Sequence, residues 1–197
     1  MDIHVLLFPQ YETLDAFGPI EILGQAGYTM HLVSLEGGLV KNAQGIETVT
    51  EKAQDHAGIW LIPGGKGTRP LSKDTAFLQS LVNLTKRADW ILSVCTGSAL
   101  LGAAGLLDGR HATSNKRAFQ WVESLRPAVH WEPSARWVKD GRFYTASGVS
   151  AGIDMALGFT ADREGIDKAR AIAERVEYVW REDPSVDPFA VAMAARP

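Results

Sequence analysis

Cys95, the single cysteine of the chain, lies between an apolar run and a run of small residues. Residues 90–94 are typical of a buried strand, and residues 98–104 of the start of a helix. At such a turn, backbone N–H groups and the positive end of the helix dipole favour an anionic sulfur. The sequence therefore predicts a partly ionised, nucleophilic thiol, with Gly97 permitting the sharp turn. The alternative is a small core residue, the commonest use of a lone cysteine.

A nucleophilic thiol needs a partner that controls its proton, and Asp15 is the best-placed carboxylate. Asp15 follows the first predicted strand, where it could share a proton with Cys95 and act as a donor. An N-cap for the following helix is an equally good interpretation of Asp15 from local sequence. None of the five histidines directly follows Cys95, where Thr96 stands instead, so a Cys–His hydrolase is not supported.

Charge that develops on a substrate also needs donors. The N–H groups of Thr96 and Gly65 are candidates, since glycine permits close backbone approach, and Gly64 is included with them as a substrate-binding residue. A plain strand-ending turn is the competing interpretation of residues 63–65. The catalytic prediction is therefore Cys95, Asp15 and Thr96, with Gly64, Gly65 and Thr96 around the substrate.

These residues need a scaffold, and strand and helix patterns alternate along the chain. Strands are predicted at 3–8, 30–35, 46–50, 58–62 and 90–94, and helices at 13–25, 74–87, 98–104, after residue 150, and at 164–180. The turn at residues 139–142, with apolar segments on both sides, predicts a hairpin. Residues 183–189 are predicted to pack as an irregular arm.

Alternating strands and helices with short glycine-rich corners predict an α/β fold, a mostly parallel sheet covered on both faces. Catalytic groups in such folds lie beyond the carboxyl ends of the strands. We therefore expect the corners at residues 14–15, 63–65 and 95–96 to converge on one cleft. The length suits a single domain over residues 1–197.

Composition restricts the possible partners and the compartment. The net charge of −3, without a basic cluster, gives no reason to expect nucleic acid. One cysteine allows no internal disulfide, which suits a reducing cytoplasm. The first residues are too short and too acidic for a signal peptide, and no apolar stretch reaches transmembrane length, so no membrane partner is expected.

Several segments resemble the ThiJ/PfpI superfamily over nearly the whole length. The most specific are residues 62–65, 93–98, 101–109, 112–113 and 148–157. The resemblance implies a flavodoxin-like three-layer sandwich with a nucleophile-elbow cysteine. Residues 14–19 and the pair Cys95-Thr96 make the chain most similar to the isonitrile (isocyanide) hydratase branch, whereas proteolytic and amidase-like branches carry histidine after the cysteine.

The resemblance implies a reaction on small isocyanides. Cys95 would attack the terminal carbon, and Asp15, or a water that it holds, would protonate that carbon. Water would then convert the thioimidate to an N-substituted formamide, with the N–H groups of Gly65 and Thr96 orienting water or stabilising charge. The resemblance implies no metal or organic cofactor, a small-molecule substrate and a homodimer.

One departure concerns specificity. Where the hydratases usually have Thr-His-Trp, this chain has Ser114-Asn115-Lys116, at the expected rim of the site. Two alternatives stay open: a cysteine hydrolase or glyoxalase-like enzyme on small carbonyl compounds, and a sensor in which Cys95 is oxidised or binds an electrophile. The superfamily domain also occurs in transcriptional regulators, but no DNA-binding helix pair is recognisable here.

Overall fold

The computed structural model describes residues 1–190, and a central eight-stranded sheet dominates it. The strands are β1 (Asp2–Leu6), β2 (Thr29–Ser34), β3 (Gly38–Lys41), β4 (Glu47–Lys52), β5 (Ile59–Ile62), β6 (Trp90–Val94), β7 (His111–Ala112), β8 (His130–Trp131), β9 (Trp137–Asp140) and β10 (Phe143–Ala146). Their order in the sheet is β3-β4-β2-β1-β5-β6-β10-β9, with β7 and β8 forming a separate pair.

The six middle strands of the sheet are parallel, from β4 through β2, β1, β5 and β6 to β10. All four residues of β5 are buried, as expected for a strand covered on both faces. The antiparallel hairpins β3–β4 and β9–β10 close the two edges. In the second hairpin, Gly141 takes a φ of 57°, which confirms the turn predicted there.

Seven helices within the described residues flank this sheet. They are α1 (Thr13–Ala26), α2 (Thr68–Leu71), α3 (Thr75–Thr85), α4 (Gly97–Ala103), α5 (Phe119–Leu125), α6 (Ala151–Glu164) and α7 (Ile166–Arg175). Helices α1, α6 and α7 pack together in one group, and α2, α3 and α5 each contact α4 in a second. The α/β sandwich predicted from the sequence is confirmed.

Several boundaries differ from those predicted. The structure also contains elements that were not predicted, namely strands β3, β7 and β8 and helices α2 and α5. Strand β3 begins at the second of two glycines that favour a turn, and it is held by pairing with β4. The predicted helix over 164–180 ends at Arg175, close to Glu177, which has a φ of 53°. Helix α1 extends one residue beyond the predicted range of 13–25, to Ala26, and contains Pro19.

The segment after α7 packs against the edge of the sheet. The N–H groups of Arg136 and Trp137 donate to the carbonyl of Pro184 at 2.7 and 3.3 Å. The arm predicted over 183–189 therefore lies along strand β9. No helix within residues 1–190 has the length and apolar character needed to cross a bilayer.

Candidate active site

Cys95 occupies the turn between β6 and α4 in a left-handed conformation, with a φ of 58°. Such a backbone costs a non-glycine residue about 1–3 kcal/mol, and surrounding contacts must hold it. The Cys95 N–H does so by donating to the carbonyls of Ala146 and Ser147 at 3.1 and 2.8 Å. Gly97 completes the turn, because a Cβ there would lie 2.2 Å from the carbonyl oxygen of Ile62. The corner thus requires glycine at position 97, as predicted from the sequence.

Three donors surround the Cys95 sulfur. The side-chain amide of Asn115 donates from Nδ2 to Sγ at 3.1 Å. The backbone N–H groups of Thr96 and Val149 also hydrogen-bond to it. Val149 turns its N–H towards the sulfur in a left-handed conformation with a φ of 43°. Each of these contacts favours negative charge on sulfur.

Asp15 provides the acidic partner and comes from the first turn of α1. Its side chain is fully buried, and Oδ2 accepts a hydrogen bond from the Gly64 N–H at 3.0 Å. Its carboxyl also contacts the Cys95 thiol. The N-cap of α1 is Glu12, so the capping interpretation of Asp15 is wrong.

Burial dominates the protonation of both groups. It raises the pKa of Asp15 to about 7, aided by the nearby Glu12 charge and opposed by the hydrogen bonds from Gly64 and Cys95. Burial and the Asp15 charge raise the pKa of Cys95 to about 12, against the three donors to its sulfur. The prediction that Cys95 rests partly ionised is therefore wrong, because desolvation outweighs the donors at the turn. Near neutral pH the pair carries a thiol beside a partly ionised carboxylate.

Thr96 lies at the start of α4 and ties it to the corner after β5. Its hydroxyl accepts hydrogen bonds from the Gly65 N–H at 3.1 Å and the Thr68 hydroxyl at 3.0 Å. The Gly65 N–H is thus paired in this arrangement, as is the Gly64 N–H with Asp15. Their predicted role towards substrate stays a prediction.

Gly64 lies where the three corners at residues 14–15, 63–65 and 95–96 meet. A Cβ there would lie 2.6 Å from the Thr96 nitrogen and 2.8 Å from Asp15 Oδ2. Gly65 has a φ of 123°, and a Cβ there would lie 2.4 Å from the Gln10 carbonyl. The residues predicted from the sequence are therefore assembled into one cluster around Cys95.

The histidines lie elsewhere. His4 stacks on His31 and His56, with ring centroids 5.2 and 4.7 Å apart, towards the amino ends of the parallel strands. His111 and His130 pair on β7 and β8, and His111 Nδ1 lies 2.7 Å from Glu132. The hydrogen bonds to the Cys95 sulfur within residues 1–190 come from amide groups alone.

Sequence reasoning missed Asn115 and Val149 as groups on the sulfur. The only signal in the sequence was that residues 114–116 differ from the Thr-His-Trp usual in the hydratases, at the expected rim of the site. Here Ser114 donates from Oγ to the Cys95 carbonyl at 3.0 Å, so the segment holds the corner as well as the sulfur.

Access to the site is narrow, because Cys95 is only 7% exposed. A cavity of about 670 Å³ lies elsewhere, between β9, α6 and residues 180–185. Within the described part of the chain, no histidine, cysteine or acidic side chains cluster in the arrangement of a metal site.

Comparison with known proteins agrees with this geometry. Isonitrile hydratase from Pseudomonas putida is 34% identical over 207 residues, covering 100% of this chain and 89% of that protein. A solved ThiJ/PfpI family protein from Pseudomonas syringae has a TM-score of 0.82 at 29% identity, covering 98% of this chain and 83% of that one.

A relative of a different class is the HTH-type transcriptional regulator GbdR of Pseudomonas aeruginosa (strain UCBPP-PA14). It is 28% identical over 163 residues, which cover 80% of this chain and 43% of the regulator. Likeness within the family therefore extends to proteins with a different role. The model of the DJ-1/PfpI family matches residues 1–161. With that match and full-length likeness to a hydratase, the chain belongs to the DJ-1/PfpI family.

Proposed function

We propose that this protein is a cysteine-dependent hydratase that converts small isocyanides to N-substituted formamides. The observation that carries the proposal is the buried Asp15 carboxyl against the Cys95 thiol. One carboxyl oxygen is held by the Gly64 N–H, and the other, Oδ1, has no hydrogen-bond partner. A base with a pKa of about 7 beside a protonated thiol can take its proton and return it within one site. The left-handed corner at Cys95 acts as a nucleophile elbow.

The first step adds the S–H bond across the isocyanide carbon. Asp15 accepts the thiol proton as the sulfur forms a bond to the terminal carbon, and the carbon–nitrogen triple bond becomes a double bond. The electron pair left on carbon takes the proton from Asp15. The product is a thioimidate on Cys95, with Asp15 again a carboxylate.

The second step adds water. Water attacks the thioimidate carbon, and Asp15 moves one of its protons to nitrogen, giving a tetrahedral carbon with sulfur and hydroxyl substituents. The carbon–sulfur bond then breaks as Asp15 passes the hydroxyl proton to sulfur. A formamide and the free thiol result, so one water is consumed and no co-reactant is needed.

Shape and hydrogen bonding also suit this substrate class. A terminal isocyanide carbon is slender enough to reach the sulfur of a residue that is only 7% exposed. The Thr96 and Gly65 N–H groups are proposed to orient water or stabilise charge. Gly64 contributes by letting Thr96 and Asp15 lie close to its backbone. We also propose that the chain forms a single domain, assembles as a homodimer and is located in the cytoplasm, as predicted from the sequence. Light scattering of the purified protein tests the dimer.

The test is formamide production from an isocyanide by the purified protein. Cyclohexyl isocyanide is supplied, and the product is followed by chromatography. Cys95→Ala is expected to abolish turnover, and Asp15→Asn to lower it at least about 100-fold through loss of proton transfer. Near-parental turnover by Cys95→Ala would overturn the proposal.

A parallel assay separates the alternatives. Methylglyoxal turnover without formamide production would favour the glyoxalase-like enzyme instead. Oxidation of Cys95 without turnover of either substrate would favour the sensor.

A further inference from the structure

Asn115 presents a fixed amide to the reacting sulfur. Its Oδ1 accepts a hydrogen bond from the Arg117 N–H at 2.9 Å, which only an oxygen can do. The amide nitrogen must therefore face the other way, where Nδ2 donates to Cys95 Sγ at 3.1 Å. The orientation is thus determined by the 3-10 turn that begins at Lys116.

The neighbouring corner is shaped around this amide. A Cβ on Gly148 would lie 2.6 Å from Asn115 Nδ2 and 3.4 Å from its side-chain carbonyl carbon. The glycine at position 148 therefore leaves the space that the amide occupies. Ser114 holds the same segment from the other side through the Cys95 carbonyl.

We propose that Asn115 is a catalytic residue that stabilises negative charge on the Cys95 sulfur, both when the sulfur attacks and when it leaves. This role rests on the proposed function for its catalytic part, but the effect on the sulfur does not. A hydrogen bond to a charged acceptor is among the stronger ones in proteins. Unlike an imidazole, the amide neither gains nor loses a proton, so Asp15 alone exchanges protons with the sulfur.

Asn115 also caps the 3-10 turn by accepting the Arg117 N–H, and this contact gives it a competing, structural role. Asn115→Asp separates the two, because Asp keeps the shape and an oxygen for the Arg117 N–H but replaces the donor with a charge. Asn115→Ala removes both contacts. Gly148→Ala keeps Asn115 and displaces its amide. Asn83→Ala, an exposed residue of α3 whose side chain contacts Gln79, is the matched control.

The experiment measures the rate of Cys95 alkylation by iodoacetamide at about pH 8, which follows the thiolate fraction. Loss of the donor lowers that fraction about tenfold or more. Greater nucleophilicity of the more basic sulfur offsets part of this, so Asn115→Ala should slow alkylation about three- to tenfold. Asn115→Asp should slow it further, Gly148→Ala should also slow it, and Asn83→Ala should match the parent.

Thermal unfolding and isocyanide turnover complete the test. We expect Asn115→Asp to melt close to the parent while its kcat falls and its KM changes little. Unchanged or faster alkylation in folded Asn115→Asp or Gly148→Ala would overturn the inference. Slower alkylation in a protein that makes no formamide would support Asn115 on the sulfur and count against the hydratase.

Discussion

Cys95 and Asp15 are two acids buried in direct contact; burial makes both charges costly, and the Asp15 charge adds to the cost at the sulfur. Three N–H donors reduce that cost at the sulfur, and the Gly64 N–H reduces it at the carboxylate. The pair therefore holds one proton between about pH 7 and pH 12, the range in which the carboxyl is ionised and the thiol is not. That proton is the one the proposed reaction needs, since it moves from sulfur to carbon through Asp15.

The pH dependence of turnover follows from this shared proton. Below a pH of about 7, Asp15 is protonated and cannot accept the thiol proton. We expect kcat/KM for an isocyanide to rise with pH, with one inflection near 7, and then to stay level. The profile is measured from about pH 5 to 9. A rate that falls across this range would contradict the assignment of Asp15 as the base.

Stability should depend on Asp15 in the opposite sense to activity. Because its pKa is raised from 3.8 to about 7, the folded protein keeps a proton that the unfolded chain releases, so stability declines as pH rises through this window. Asp15→Asn should therefore have a higher free energy of unfolding than the parent at pH 8, by up to about 4 kcal/mol, and show little difference near pH 4.

Urea unfolding at both pH values measures the difference. A variant that is less stable than the parent at the higher pH would show that the amide disrupts the Gly64 contact instead. Cys95→Ala offers a comparison, since it removes the thiol and leaves the carboxyl in place.

At the scale of elements, the site exists because strands β5, β6 and β10 are neighbours and run parallel. Their carboxyl ends place residues 63–65, Cys95 and residues 147–149 at one edge of the sheet. Helix α1 brings Asp15 to the same edge, at its first turn. Each corner contributes backbone N–H groups, and the close approach leaves no room for side chains at Gly64 and Gly97.

Gly64→Ala tests this close approach. Its Cβ would push on Thr96 and on Asp15 Oδ2, neither of which has space to move, so we expect turnover to fall at least about tenfold and stability to drop by about 1–3 kcal/mol. Gly24→Ala in helix α1 is the control, because nothing lies within 4 Å of its added Cβ. That change should stabilise the helix by up to about 1 kcal/mol. Equal turnover in both variants would contradict the model of a tight corner.

At the scale of the whole molecule, a cluster of buried charged side chains links the arm of residues 183–189 to the rest of the fold. Arg136 is 2% exposed and donates from Nε to Asp154 Oδ2 at 2.8 Å and from Nη2 to Ser150 at 3.1 Å. Its Nη1 lies 3.8 Å from Asp187, whose N–H donates to the Ser134 carbonyl. The arm is thus anchored close to the start of α6, beside Val149.

Arg136→Met is expected to destabilise the protein by about 3–5 kcal/mol, because it leaves the buried carboxylate of Asp154 without its cation. Asp187→Asn should cost less, since Arg136 keeps its contact with Asp154. The exposed pair of Arg170 and Glu182 is the control, where Arg170→Met should cost far less than Arg136→Met, because water screens this pair. Urea unfolding of the three variants orders them, and equal costs for Arg136→Met and Arg170→Met would contradict this view.

The sequence by itself determined the architecture and those site residues that lie at recognisable strand ends and sharp turns. Alternating apolar strands and helices required a covered parallel sheet, and Cys95 and Gly97 indicated a sharp corner through their order alone. Parallel strands with their carboxyl ends at one edge then brought the predicted corners together. This part of the site follows from pattern, because strand direction decides which ends meet.

Only the tertiary structure decided the electrostatics and the remaining partners. Asn115 and Val149 reach the sulfur from segments that carry no local signal of contact with Cys95. Burial raised the pKa of the thiol where the turn alone suggested lowering it, and Asp15 lies against that thiol while Glu12 takes the cap position of α1. Desolvation depends on everything packed around a group, and no window of sequence contains that information.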